Sequence, residues 1–225
     1  MPQPTEQELL SKFAASLLSI MPYIVGFISA LLVEPIRKKL FRPRLELEFK
    51  NNRDFKTLTP EHTIMGESKA IFVRVRVKNK SWYTAFGCRA YLVNIERKNN
   101  VGFFERTEFV DSLRLAWSCQ PRDDSYRSVD MPKNVNQFID VFSTRPEFRS
   151  RMGGASFEQT LVPENFTSTF SLNTQLMPIR YKKLTEEEGQ YRYTIVVTAD
   201  GVEPKVIRII FKWNKDWETF EVKKG

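Results

Sequence analysis

The sequence predicts a mainly β protein, an antiparallel β-sandwich preceded by one N-terminal transmembrane α-helix. Three observations support this prediction. Apolar and charged residues alternate in several segments after residue 45, as they do in strands with one buried face. No segment of that region keeps helical spacing for long. Residues 13–33 contain no charged side chain, in a chain of which 28% is charged.

The composition excludes several classes of protein. The 225 residues carry a formal charge of +8, are 41% hydrophobic and have a mean hydropathy of -0.39. These values exclude a polytopic membrane protein and an acidic disordered chain, and two cysteines are too few for a disulfide scaffold. Much of the positive charge lies beside the charge-free run, so the total charge is a poor guide to the binding partner.

The charge-free run predicts a membrane-spanning helix at residues 13–33, after a short tail at residues 1–12. As a helix the run would be about 31 Å long, which matches a hydrocarbon core of about 30 Å. A buried helix of a soluble domain and a cleaved signal peptide are the alternatives. The run has no polar face, and the acidic residues Glu6 and Glu8 precede it, so both alternatives are disfavoured.

A basic linker at residues 34–44 predicts the orientation of the chain. By the positive-inside rule, the N-terminus would lie outside and the C-terminal domain in the cytoplasm, at the inner membrane of a cell. The same basic residues would contact anionic lipid headgroups at the membrane surface. They are Arg37, Lys38, Lys39, Arg42 and Arg44, against the single acidic residue Glu34.

Small residues recur along one face of the predicted helix. They would let two helices approach closely and form a homo-oligomer, although small residues are also common in membrane helices without such a role. The residues are Ala15, Ser19, Gly26 and Ala30, with Pro22 on the same face.

Residues 45–225 are predicted to form one domain with at least eight strands. Residues 45–49 and 73–78 show clean two-residue alternation, and residues 88–96 are apolar enough for a central strand. The dipeptide Asp200-Gly201 predicts a hairpin. Further strands are predicted at residues 138–142, 191–199, 206–213 and 217–222, and the best helical candidate, residues 175–188, is interrupted by Pro178.

Two sequence runs carry a family resemblance. In FVRVRVKNKSWYTAFGCRAYLVNIER, a Val-x-Val-x-Asn strand ends at Asn79 and is followed by the small residue Ala85. In GQYRYTIVVTADG, Gly189, Tyr191 and Tyr193 form a Gly-x-Tyr-x-hydrophobic strand. Both runs resemble strands of bacterial immunoglobulin-like domains of the CARDB or fibronectin-III-like kind, which implies an Ig-like sandwich. The whole chain is similar to bacterial single-pass membrane proteins with a β-rich cytoplasmic domain. The likeness covers about 60 of the 225 residues and assigns no functional residue.

No pattern in the sequence predicts catalysis, a cofactor or a metal centre. The chain has a single histidine, His62, so an HExxH motif is excluded. His62 lies in a segment that we interpret as a polar loop without a nucleophile motif, which disfavours a Ser–His–Asp triad. Cys88 and Cys119 lack CxxC spacing. In the cytoplasm they would stay reduced, whereas outside the cell they could form a disulfide. The chain is therefore predicted to be a non-enzyme that needs no cofactor.

Two loops are predicted to contact a partner. Trp82 and Tyr83 place two large aromatic side chains in an inter-strand turn, where they would pack on the sandwich rim or contact a protein or membrane surface. Residues 121–137 form a long polar segment of mixed charge, and its candidate contact residues are Arg122, Asp123, Asp124 and Tyr126.

These features predict a membrane-anchored, non-enzymatic binding or adaptor protein that presents a cytoplasmic β-sandwich to a protein partner. Nucleic acid is not the expected partner, because Arg74, Arg76 and Lys78 alternate with aliphatic rather than aromatic residues. The alternative is a membrane effector, as in bacterial anti-phage defence, that oligomerises through its helix and perturbs the membrane on sensing a ligand. A secreted lectin-like domain is a third interpretation, which a disulfide between Cys88 and Cys119 would favour.

Overall fold

The chain divides into two compact units, Met1–Arg42 and Pro43–Gly225. In the first unit, the described residues between 19 and 29 are helical, and the rest of the predicted tail and transmembrane helix lies outside the described residues. Within the part of the chain that is described, no helix is long and apolar enough to cross a membrane. The structure, a computed structural model, describes residues 19–23, 25–27, 29, 42–63, 66–121, 124–146, 168–181 and 183–225.

The second unit is built from antiparallel strands in two sheets, which confirms the mainly β prediction. A 3₁₀ turn at Ile179–Tyr181 and one helical turn at Lys183–Glu186 are the helical elements described there. The strands are β1 (Leu45–Glu48), β2 (Lys56–Thr63), β3 (Gly66–Asn79), β4 (Ala85–Lys98), β5 (Phe104–Arg106), β6 (Leu113–Arg114), β7 (Ala116–Trp117), β8 (Val129–Met131), β9 (Asn136–Pro146), β10 (Ser168–Leu172), β11 (Gly189–Ala199), β12 (Val202–Trp213) and β13 (Glu221–Lys224).

Each sheet combines strands from the early and the late parts of the chain. Sheet 1 has the order β1-β3-β9-β10, with β2 also paired to β3 and β7 to β9. Sheet 2 has the order β13-β12-β11-β4-β5, with β6 and β8 also paired to β4. Residues 113–117 cross between the sheets, because β6 pairs with Tyr91 and Leu92 while β7 pairs with Ile139 and Asp140. This crossover closes one side of the sandwich.

Several strands of the structure coincide with strands predicted from the sequence, and the hairpin at Asp200-Gly201 is confirmed. Gly201 has a φ of 66°, and Ala199 pairs with Val202 across the turn. The segment around His62 is a strand and not a loop, since His62 pairs with Glu67. The last strand begins at Glu221 rather than Trp217, because the Asp216 carboxylate accepts hydrogen bonds from the Glu218 amide and the Thr219 hydroxyl and holds a turn.

Aromatic side chains from both sheets fill the core. Phe142 of β9 lies 4.4 Å from Phe211 of β12 between ring centroids, and Phe170 of β10 stacks on the same ring at 4.9 Å. Tyr193 of β11 packs 6.2 Å from Phe211 and is fully buried. Its hydroxyl has no hydrogen-bond partner among the described residues, and burial raises its pKa well above the ordinary value.

The outer face of sheet 1 holds paired charges rather than a freely solvated row of cations. Arg74 donates from Nε to Asp140 at 2.7 Å. Glu48 binds three cations, Lys50 at 2.7 Å, Arg76 at 2.9 Å and Lys78 at 3.4 Å. The cations of β3 on this face are therefore paired with carboxylates of β1 and β9.

A matched pair of tyrosine substitutions tests the core. We expect Tyr193→Phe to raise the free energy of unfolding by about 1 kcal/mol, because it removes a buried hydroxyl that is unpaired within the described part of the chain. Tyr191→Phe should lower it by about 1 kcal/mol, because the Tyr191 hydroxyl donates to the Glu187 carbonyl at 3.0 Å. Urea unfolding of the full chain measures both. A loss of stability in Tyr193→Phe would contradict the description of that hydroxyl.

Glu48 makes stability depend on pH. Hydrogen bonding from Lys50, then from Lys78, and the charge of Arg76 lower the pKa of Glu48 from 4.5 to about 2, against the opposing effect of burial. A depressed folded-state pKa stabilises the fold above pH 4.5 and loses that contribution as the pH falls towards 2. We expect Glu48→Gln to cost about 2 kcal/mol at pH 7 and almost nothing near pH 2.

Glu46→Gln is the control for this titration. Glu46 lies on the same strand and pairs with Lys80, but both side chains are largely exposed. Its substitution should change the unfolding free energy by less than about 0.5 kcal/mol at either pH. Equal effects of the two substitutions at pH 7 would show that the Glu48 cluster contributes no specific stability.

Candidate binding surfaces

A buried asparagine organises the turn between β3 and β4. The Asn79 side-chain amide donates to the Tyr83 carbonyl at 2.6 Å and to the Met131 carbonyl at 2.8 Å. Its Oδ1 accepts from the Ser81 amide at 3.0 Å and from the Ser81 hydroxyl at 2.8 Å. Every polar group of this side chain that faces the turn is therefore engaged, which fixes the turn rigidly.

Three turns meet at this end of the sandwich. The Asn134 amide donates to the Asn79 carbonyl at 3.0 Å, which joins the β8–β9 turn to the β3–β4 turn. The Asp200 amide donates to the Phe86 carbonyl at 2.9 Å, which adds the β11–β12 turn. We call this surface, formed by residues 81–87, 130–135 and 200–201, the aromatic end.

Glycine is required where two of these turns touch. Gly87 has a φ of +62°, and a Cβ there would lie 2.9 Å from Oδ2 of Asp200. The Gly87 amide also donates to Asp130 at 2.8 Å. A side chain at this position would be strained by the positive φ and would displace the Asp200 carboxylate.

The polypeptide joins the domain at the same end. The Lys80 amide donates to the Arg44 carbonyl at 2.9 Å, and Leu45 pairs with Asn79. The linker that precedes β1 therefore arrives directly beside the turn that carries Trp82.

Three aromatic side chains at the aromatic end are exposed to solvent. Trp82 is 79% exposed, Phe86 57% and Tyr83 41%. The ammonium group of Lys133 lies over the Trp82 ring. The prediction of an aromatic turn is thus matched by the position of Trp82 and Tyr83. Phe86 was missed, because two-residue alternation places it in phase with the buried Cys88, and the register shift between Ala85 and Cys88 turns it outwards.

A second exposed surface lies beside the crossover between the sheets. Val110, Leu176 and Ile179 are 78%, 79% and 89% exposed, and we call this set the lateral patch. The Tyr181 hydroxyl bonds to both the Val110 amide, at 3.3 Å, and the Asp111 carboxylate, at 2.7 Å. These contacts hold the two backbone segments of the patch together.

The electrostatics of the lateral patch come from one ion pair. Arg180 pairs with Asp111, and its guanidinium also lies 4.7 Å from the centroid of the Tyr181 ring. Hydrogen bonds from Tyr181 and then Arg180 lower the pKa of Asp111. The apolar patch therefore borders a carboxylate that remains ionised. Sequence reasoning missed this surface, because residues 175–188 have the appearance of an interrupted helix.

The predicted contact segment at residues 121–137 is only partly a loop. Val129 and Met131 of β8 are buried and pair with Cys88 and Ala85 of β4, so this part is a strand. The Tyr126 hydroxyl donates to the Thr174 carbonyl at 3.0 Å, two residues before Leu176. Asp124 pairs with Arg127 at 2.8 Å. Arg122 and Asp123 lie outside the described residues.

The predicted partner residues are thus held by different elements. Trp82 and Tyr83 belong to the aromatic end, whereas Tyr126 is bonded to the segment after β10 that leads into the lateral patch. Of the predicted membrane-surface residues, Arg42 and Arg44 are exposed, and Arg37, Lys38 and Lys39 lie outside the described residues. In the predicted self-association set, Ser19 and Gly26 are helical and exposed, and Ala15 and Ala30 are not described.

Both cysteines are free thiols. Cys88 is buried and Cys119 exposed, and burial raises the pKa of Cys88 to about 11. Among the described residues, no group of three or more His, Cys, Asp or Glu side chains could hold a metal ion.

Neither comparison with known proteins yields a match: no family model fits the chain, and no curated protein is significantly similar to it.

The role of Asn79 can be tested with a substitution that preserves its shape. Asn79→Asp replaces the donor group with an oxygen that faces two backbone carbonyls. We expect it to lower the free energy of unfolding by about 3 kcal/mol. The measurement is urea or thermal unfolding of the full chain.

Asn99→Asp is the matched control. The Asn99 Oδ1 accepts from the Val101 and Phe103 amides in an exposed turn, a role that a carboxylate also performs. We expect a change of less than about 1 kcal/mol, from the loss of one exposed bond to Glu105. Similar losses in the two variants would show that the Asn79 contacts do not organise the turn.

Proposed function

We propose that this chain is a membrane-anchored, non-enzymatic adaptor that binds a protein partner through the lateral patch. Residues 13–33 would anchor it, and the basic linker at residues 34–44 would keep the sandwich on the cytoplasmic side. Tethering would raise the local concentration of the bound partner at the membrane, without bond chemistry.

An immunoglobulin-like topology is part of this proposal. In Ig-like domains, strands A, B and E share one sheet and strands G, F and C the other. The orders β1-β3-β9 and β12-β11-β4 correspond to these sets. The hydrogen bond from Tyr191, near the start of β11, to the Glu187 carbonyl has the form of a tyrosine corner. By contrast, β10 follows β9 in the chain although it occupies the place of strand D.

The observation that carries the adaptor proposal is the exposure of the lateral patch. Isolated apolar residues are normal on protein surfaces, but a grouped set on a rigid frame is typical of binding sites. Val110 and Ile179 are held near each other by the contacts of Tyr181 with the Val110 amide and with Asp111. Such a frame loses little conformational entropy when a partner binds. The neighbouring Asp111–Arg180 pair would supply a polar rim.

Affinity capture from native membranes tests this proposal. We expect the full chain to remain in the membrane pellet after alkaline extraction and to retain a specific protein when solubilised. The double variant Leu176→Ser, Ile179→Ser should stay in the pellet but lose that protein by about tenfold or more.

The control is the double variant Val101→Ser, Phe103→Ser. Val101 and Phe103 lie in the β4–β5 turn, away from the lateral patch, and are similarly exposed. Their substitution therefore removes an equivalent apolar surface. Equal retention by both double variants would rule out the lateral patch as the binding surface. Release of the full chain into the soluble fraction would rule out the anchor.

A further inference from the structure

The aromatic end combines exposed rings with the point at which the chain joins the domain. The Arg44 carbonyl accepts a hydrogen bond from the amide of Lys80, which lies two positions before Trp82, so the end of the linker lies close to the turn that carries Trp82. From residue 33 to residue 44 the chain can span at most about 40 Å, at about 3.6 Å per residue. The opposite end of β4 lies roughly 45 Å from the aromatic end, which is the length of a 14-residue strand.

The side chains at this end have the chemistry of a bilayer interface. Tryptophan and tyrosine rings concentrate at the level of lipid headgroups, where one part of the ring is apolar and another is hydrated. Trp82 and Phe86 supply exposed apolar rings, and Tyr83 supplies a partly exposed phenol. The Lys133 ammonium over the Trp82 ring would lie at the depth of the lipid phosphates.

The charges at the aromatic end nearly balance. Lys80 forms an ion pair with Glu46, and the Asp130 carboxylate accepts a hydrogen bond from the Gly87 amide. The positive charges of Lys133 and of the adjacent Arg44 equal in number the negative charges of Asp130 and Asp200. Attraction to anionic lipid is therefore weak, and burial of the rings in the interface must supply most of the binding.

We propose that the aromatic end rests on the lipid headgroups of the membrane, with Trp82 and Phe86 in the interface. This inference rests on the proposed membrane anchor. The contact would fix the orientation of the sandwich at the membrane, as a second attachment point beside the linker. The lateral patch, which lies on the side of the sandwich, would then remain open to a partner from solution.

Quenching of tryptophan fluorescence by brominated lipid tests the contact. The full chain is reconstituted into phosphatidylcholine vesicles with and without bromine atoms on the upper part of the acyl chains. Residues 13–33 contain no tryptophan, so the anchor itself gives no signal. Trp117 and Trp213 are buried in the sandwich, which leaves Trp82 as the most exposed of the four tryptophans.

We expect brominated vesicles to quench the wild-type emission, and Trp82→Phe to lose about half of that quenching or more. This variant keeps an apolar ring, so the reporter is removed while the contact is retained. Trp217→Phe is the control, because Trp217 lies beyond the far end of β12, and it should retain the quenching. Adding anionic lipid should change the quenching by less than about twofold.

The outcomes separate the inference from the proposed function. A chain that sediments with the vesicles but shows no quenching, or the same quenching in Trp82→Phe, overturns the headgroup contact and leaves the anchor in place. If Trp82→Phe also releases a captured protein, the aromatic end is a protein-binding surface and the inference is wrong. A chain that stays in the supernatant after reconstitution overturns both the anchor and the inference.

Discussion

The fold depends on the contact between the rings of Phe142 and Phe211, which joins the two sheets. Phe142 pairs in sheet 1 with Val73 and Leu172, and Phe211 pairs in sheet 2 with Tyr191 and Val222. Because side chains alternate between faces, a one-residue slip of either strand would turn these rings outwards. The ring contact therefore fixes the register of the central strands. The outward positions of Arg74 and Arg76, and the meeting of the turns at the aromatic end, follow from it.

The two binding surfaces are displayed by this frame in different ways. The aromatic end is held by backbone hydrogen bonds around Asn79, so its exposed rings lie on a turn that cannot retract into the core. The lateral patch is held by Tyr181, whose ring packs 4.9 Å from Phe109 and whose hydroxyl bonds to two groups. Both surfaces carry apolar side chains on preformed backbone, which suits binding without a large conformational change.

Much of the fold could be predicted because alternation and turn residues are local signals. The strands around Val75, Leu92 and Ile209 and the turn at Asp200-Gly201 were placed from sequence alone. The strand at Val129–Met131 was missed, since its partners in β4 lie about 40 residues away. The exposure of Trp82 followed from its place in a turn. The exposure of Ile179 and Leu176 could not be predicted in this way. It depends on how the crossover segment packs against residues 173–181, and sequence periodicity carries no information about that packing.

The pairing of β1 with β3 has a mechanical consequence. The chain joins β1 at Leu45, opposite Asn79, and β1 runs from there alongside β3 in antiparallel register. A pull on the linker, directed away from the aromatic end, acts along the axis of β1. It strains the hydrogen bonds between the two strands together, in shear, and does not open them one at a time. A four-residue strand that would detach easily by peeling therefore resists force applied through the linker.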